Sequence, residues 1–301
     1  MQSFNYTTGF KSLPNAQVFS PSQTADYLFC PMYRWLKQEG WRERKVNARD
    51  IGAALGRSFA TGIASYNVAC RDHASIGSGT KVAEAVSAGL SELDTTIKEM
   101  VNTRNVGDQE AALTALPTRL ERALSKSIEY DPIPPTWEKR DVEFVLPDSG
   151  NSRIDLGCWD GQTSVVVDYK LRLRLDSRYR MAEVKRLQRN WQMLHYTFFY
   201  GQYLKKPVDR YIVLLTVLEP KFEILPIDLT TVWVTEEELA QWHAFAKQVW
   251  ADMAAEDSGE RLTRGKTECE NRFGPCEFVD ACWNWHYDES LMNSKYVKYA
   301  G

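Results

Sequence analysis

Residues Ser164–Leu175, SVVVDYKLRLRL, constrain the fold more than any other stretch of this chain. Three successive valines predict a buried β-strand, because β-branched side chains pack well on a pleated surface. The residues that follow alternate charged and apolar. Asp168, Lys170, Arg172 and Arg174 therefore share one face, and Tyr169, Leu171, Leu173 and Leu175 the other. Alternation alone is what a half-exposed strand produces, but aspartate is depleted from strands because it competes for local backbone hydrogen bonds. The preceding strand, SRIDLGCW, also carries an acid, Asp155, between Ile154 and Leu156. Asp160-Gly161 is a hairpin signal that folds the two strands together. Carboxylates brought onto one face raise each other's pKa unless a cation neutralises them. A hard divalent ion such as Mg²⁺ or Mn²⁺ suits that oxygen pair. Lys170 beside it suits a metal-activated hydroxide or a developing phosphorane charge.

The rest of the chain frames this strand. Ser20, Pro21 and Gln23 predict a capped helix start, broken near Cys30-Pro31. Residues 48–128 read as helical, and DPIPPTW (131–137) marks a change of character. Strands are expected at EKRDVEFVLP, SRIDLGCW and TSVVVDYKLRLRL, then a long helix from about Tyr179 to Tyr203. Two more strands follow at DRYIVLLTVL and KFEILPIDL, and a helix capped by Thr235. That order is α/β, with a mixed central sheet flanked by helices. We expect three segments: an N-terminal helical region (1–130), a core (131–258) and a cysteine-rich tail (259–301), with the two chain ends meeting.

Of the 301 residues 44% are hydrophobic and 26% charged, as in soluble globular proteins. The net charge of −3 argues against a protein that coats nucleic acid indiscriminately. Yet residues 170–189 hold eight Lys/Arg (170, 172, 174, 178, 180, 185, 186, 189) against Asp176 and Glu183. Such a local patch suits a polyanion brought to a metal. No apolar run is long enough to span a bilayer and no secretory signal is visible, so the expected compartment is cytoplasmic, in a bacterial or phage-infected cell. Six cysteines in such a compartment are not a disulfide framework, and three lie in the last 33 residues, which asks for a metal or cluster.

Asp155 followed by Asp168-x-Lys170 on the next strand resembles the active-site motif of the PD-(D/E)XK nucleases. Gln192 and Tyr196 in QMLHY resemble the Gln-x-x-x-Tyr motif of the RecB-like branch, one helical turn apart and pointing the same way. One group in that branch, including AddB and the CRISPR-adaptation nucleases, closes its chain ends with an iron–sulfur cluster. Here Cys30 stands in YLFCPMYRW, and Cys269, Cys276 and Cys282 in CENRFGPCEFVDAC. The last interval has the family's five intervening residues; the first has six where two is common, which makes Cys269 the least secure ligand. Four thiolates make a [4Fe–4S] cage, and four-cysteine zinc is the physical competitor, which the ligand set alone does not separate. Cys70 and Cys158 read as ordinary buried thiols.

The resemblance implies a restriction-endonuclease-like core and a Mg²⁺- or Mn²⁺-dependent deoxyribonuclease. The implied action is exonucleolytic, on single-stranded DNA or DNA ends, in recombination, repair or phage DNA processing. Asp155 and Asp168 would hold the metal, Lys170 would assist the attacking water, and Gln192 and Tyr196 would orient the site. Arg172, Arg174 and Arg178 would contact DNA. No helicase motif is present, so any motor partner is another chain. One position departs from the pattern. The family's early-helix Gly-x-x-x-His aligns with Gly56 and Ala60, and alanine binds no metal. Either another group such as Glu143 or His73 completes the shell, or the chain is a weakened or inactive DNA-binding module.

Overall fold

In a computed structural model, the described residues are 17–73, 77–131, 133–134, 136–188, 190–228, 235–257, 270–271, 274–278, 281–282 and 289–298. Helices α1 (Pro21–Phe29) and α2 (Pro31–Gln38) and strand β1 (Trp41–Glu43) lead into helices α3 (Ala48–Asp72), α4 (Ser78–Thr103), α5 (Glu110–Thr114) and α6 (Leu116–Tyr130). The expected capping box is formed, with Ser20 Oγ accepting from Gln23 N and Gln23 Oε1 from Ser20 N. Cys30 ends α1 and caps α2.

The central sheet contains β2 (Glu138–Val145), β3 (Arg153–Trp159), β4 (Ser164–Arg174), β5 (Arg210–Glu219) and β6 (Glu223–Asp228), paired in that order. β4 and β5 run parallel and the other pairs antiparallel, so the sheet is mixed as expected. The parallel pair requires a crossover, and helices α7 (Arg180–Gln188) and α8 (Trp191–Leu204) supply it. The continuous helix expected over 179–203 is therefore two helices. Asn190 is extended and its side chain accepts the Gln192 amide, an N-cap that starts α8 afresh.

Helices cover both faces. On one, Met193, Phe199 and Tyr200 of α8 join Trp242, Ala246 and Trp250 of α9 (Glu236–Asp257) over Val166, Val213 and Leu215. On the other, Ile51, Leu55 and Phe59 of α3, with Leu120 and Leu124 of α6, pack against Tyr169, Leu171 and Leu173. The alternation along β4 thus holds to Leu173. Leu175 lies past the strand end and joins the α8 side instead. Thr235 and Glu238 cap α9 reciprocally.

The chain ends meet. β1 pairs antiparallel with β9 (Tyr296–Lys298), which follows α10 (Glu289–Lys295). Beneath them Cys30, Met32, Leu36 and Trp41 pack with Cys276, Phe278, Cys282 and Tyr296. Two further short strands, β7 (Glu270–Asn271) and β8 (Gly274–Pro275), pair antiparallel. Among the described helices none is long and apolar enough to cross a membrane.

Candidate active site

Asp155 and Asp168 are brought together by the β3–β4 hairpin. Asp160 organises its turn, accepting from the amides of Gln162 and Thr163, and Gly161 takes φ +99°. The ladder pairs Leu156 with Val167; one step further along that register, Asp155 stands opposite Asp168. There the ladder stops, and the Tyr169 amide donates to Asp155 Oδ2 at 2.8 Å in place of a strand partner. An aspartate in a strand thus satisfies a backbone donor that the parting strands leave free.

A local reversal accompanies Asp155. Val142 and Phe144, two residues apart on β2, lie on opposite faces of the sheet, and so do their partners Leu156 and Ile154. Between them Glu143 has φ +48°, a left-handed conformation rare for a residue with a side chain. Glu143 stands opposite Asp155, is half-buried, and accepts from Arg153 Nη1 at 3.2 Å.

Asp168, 2% exposed, faces α8 together with Lys170. Lys170 Nζ donates to Asp168 Oδ1 at 2.9 Å and to Gln192 Oε1 at 3.1 Å. Gln192 Nε2 in turn donates to the Tyr196 hydroxyl at 2.9 Å. One chain of hydrogen bonds therefore runs from strand carboxylate to helix phenol. Burial followed by the Asp168 charge pushes Asp155 up to about 7, while Lys170 and the Tyr169 amide pull it back. Burial works against the Lys170 charge, but Asp168 and Asp155 outweigh it, and the ammonium is held above its ordinary range. Burial raises the Tyr196 phenol.

The basic stretch is less free than its charge count suggests. Glu183 binds both Arg172 and Arg186, Asp176 faces Arg174 and Arg178, and Arg180 pairs with Glu223. The hydrogen bond from Arg186, helped by Arg172 and opposed by burial, holds Glu183 below its ordinary range. Glu183 at i−3 from Arg186 was a readable spacing; Glu223 lies on another strand and had no local signal.

His195, one residue from Tyr196, is fully buried. Its Nε2 lies 2.9 Å from Ser152 Oγ and 3.1 Å from the Ser149 carbonyl, which ties α8 to the β2–β3 loop. Gly150 at the tip of that loop has φ +67° and lies so close to the Val18 backbone that a Cβ would meet its carbonyl oxygen at 2.3 Å. Ala60 is half-buried on α3, and His73 is exposed at the helix's C-terminal cap. Cys30, Cys276 and Cys282 are buried in one cluster, whereas Cys70 is only half-buried and Cys158 lies under the sheet. Burial, ahead of Cys282 and Cys30, raises the Cys276 thiol to about 12. Cys269 lies outside the described residues. Among those described, no three His, Cys, Asp or Glu side chains are drawn together closely enough to hold a metal ion.

The family model of the PD-(D/E)XK nuclease superfamily matches residues 18–283. The chain belongs to that superfamily. Its five-stranded mixed sheet flanked by helices is the superfamily's restriction-endonuclease-like core. Among solved structures, the nuclease is similar to a protein of Eubacterium rectale named "Putative exonuclease". The two are 14% identical over 94% of this chain and 92% of that one, with a TM-score of 0.47. No curated protein matches.

Proposed function

We propose that the protein is a Mg²⁺- or Mn²⁺-dependent deoxyribonuclease, an exonuclease acting on single-stranded DNA or DNA ends in recombination, repair or phage DNA processing. The observation that carries this reading is the Asp168–Lys170–Gln192–Tyr196 hydrogen-bond chain with Asp155 opposite Asp168. Two carboxylates that repel each other, Asp168 buried and Asp155 half-buried, are a donor set fitted to a hard cation. Asp155 and Asp168 would hold it, and Glu143 across the ladder is the nearest further acid to complete the shell. Such an ion supplies Lewis-acid polarisation of the scissile phosphate and a water of lowered pKa.

The chain's own groups supply position and charge. Lys170 keeps its proton at Nζ, where the ammonium stabilises charge developing on the phosphoryl oxygens. Gln192 fixes that ammonium through its Oε1, and Tyr196 fixes Gln192. Arg172, Arg174 and Arg178 continue along the strand and its exit toward neighbouring phosphates. A helicase or recombination protein would be its partner, in the cytoplasm of a bacterial or phage-infected cell.

Cys30, Cys276 and Cys282, with Cys269, would hold a [4Fe–4S] cluster, or zinc in the competing case. The burial of Cys30, Cys276 and Cys282 in one apolar cluster is what supports a thiolate-held group there.

The deciding assay uses labelled single-stranded DNA with Mn²⁺. The wild type is expected to cut and Asp168→Ala not to cut. Lys170→Ala is expected to lower kcat about 100- to 1,000-fold, as loss of one charge-stabilising donor does. A purified, metal-loaded wild type that never cuts rejects the enzyme reading. It leaves the weakened or inactive DNA-binding module, which Ala60 favours.

A further inference from the structure

We infer that Tyr179 and Met181, on the exit from β4, form a base-contacting platform for single-stranded DNA beside the catalytic face. The inference rests on the nuclease reading above and names the part of the substrate that the arginines do not recognise.

β4 rises about 3.3 Å per residue, so Arg172 and Arg174 lie about 7 and 13 Å beyond Lys170 on the same face. Past Arg174 the chain turns through a short 3₁₀ helix, Ser177–Tyr179, directly into α7. That helix carries an apolar stripe at spacing three: Met181, Val184 and Leu187. Leu187 is buried and Val184 packs against the core, but Met181 is 66% exposed. The stripe therefore runs off the edge of the body and leaves its first member in water. Tyr179, two residues earlier, is 51% exposed. Single exposed apolar side chains need no explanation. Two of the most exposed among the described residues, placed where the reacting strand ends, ask for one.

Their surroundings point to the occupant. The Arg178 guanidinium stacks over the Tyr179 ring at 4.8 Å, and its side chain is 74% exposed. Arg174, 68% exposed, pairs with Asp176 at a long 3.4 Å. Such exposed pairs contribute little and open readily to a competing phosphate. Lys185 is also exposed on α7. Apolar area enclosed by cations fits a polyanion that also presents flat apolar faces. Unpaired bases stack on aromatic rings, guanidinium groups add cation–π contacts, and the phosphates neutralise the cations. A duplex hides its base faces and offers Tyr179 and Met181 only a sugar–phosphate surface.

The test is binding of the full chain in EDTA, without turnover, to an oligonucleotide carrying 2-aminopurine, read as fluorescence change and Kd. Tyr179→Ala/Met181→Ala is expected to weaken single-strand binding about ten-fold or more and to suppress the fluorescence change. Tyr179→Phe is expected to retain both, since stacking needs the ring and not the hydroxyl. Val101→Ala removes a comparably exposed side chain from α4 and is expected to change neither. Binding to a blunt duplex is expected to be equal in wild type and double variant. Equal single-strand Kd values for wild type and double variant overturn the platform, while Mn²⁺-dependent cleavage by the wild type keeps the nuclease reading. Equal weakening on single strand and duplex also overturns it, since the pair would then serve association in general. A wild type that neither binds nor cuts single-stranded DNA rejects the nuclease reading and the platform with it.

Discussion

Asp155 is the residue at which fold and chemistry conflict most directly. Burial and then Asp168 push its carboxyl up to about 7, against about 3.9 in an unfolded chain. Between those values the folded protein binds more protons than the unfolded one, so this group's contribution to stability falls as pH rises from about 4 to 7. Above 7 the metal-free protein carries two carboxylates against the single Lys170 ammonium. Asp155→Asn keeps an oxygen to accept the Tyr169 amide and removes the charge. In EDTA the variant is expected to melt above wild type at pH 8, with the gain shrinking as pH falls from about 7 to about 4 and the wild-type carboxyl protonates in the fold. A Tm difference that stays constant across that range would reject this account of the site. Both acids were legible in the sequence because an aspartate inside a strand contradicts strand propensity. The place of Glu143 opposite Asp155 was not, since nothing in DVEFV signals the left-handed conformation that reverses both strands there.

At the scale of elements, the site depends on how α8 is held against the β2–β3 loop. His195 fixes that relation through Ser152 and Ser149, enclosed by Tyr196, Phe199, Trp242 and Trp250. Burial lowers its pKa to about 3, against a pull upward from the Ser149 carbonyl. His243, also lowered by burial and by Lys247, to about 4, faces the same aromatic set. An imidazole kept neutral in the fold but titrating near 6.5 when unfolded gives stability that is full above 6.5 and lost as pH falls toward 3. That slope is opposite to the one from Asp155, so the wild-type curve alone does not separate them. His195→Gln does. Its Tm, whatever its absolute value, is expected to fall less steeply than wild type between pH 7 and pH 4, read by circular dichroism in a pH series. Parallel curves would show that His195 is not the buried base assigned here. Helix and strand positions were legible from periodicity, but the break before α8 turned on the Asn190 side chain. The basic stretch was counted correctly with its own Asp176 and Glu183, but its pairing was not legible: Glu223, which holds Arg180, comes from β6.

The whole molecule is closed near its ends, as the order of elements and the resemblance carried by the cysteines implied. Segments about 250 residues apart join through the β1–β9 pairing, reinforced where Arg44 donates twice to the Asn293 carbonyl at 3.0 and 2.8 Å. The entropy of closing so long a loop grows only slowly with its length. The small apolar cluster around Trp41, Phe278 and Tyr296 therefore has a modest cost to offset, yet it buries three thiols that hydrophobic packing alone does not require. If those thiols hold a [4Fe–4S] cluster, anaerobically purified protein is expected to be brown and to contain iron and acid-labile sulfide in equal amounts. Cys30→Ser is expected to bleach it and lower its Tm, because the same substitution removes a ligand and unlinks α1 and α2 from the C-terminal strand. Cys158→Ser serves as the comparison: that thiol is equally buried but sits under the sheet with Leu156 and Val165, so the colour is expected to survive. Colourless protein carrying stoichiometric zinc would transfer the closure to zinc. Protein free of both metals that melts no lower as Cys30→Ser would leave the thiols as packing alone, and the ends held by β1, β9 and their aromatic floor.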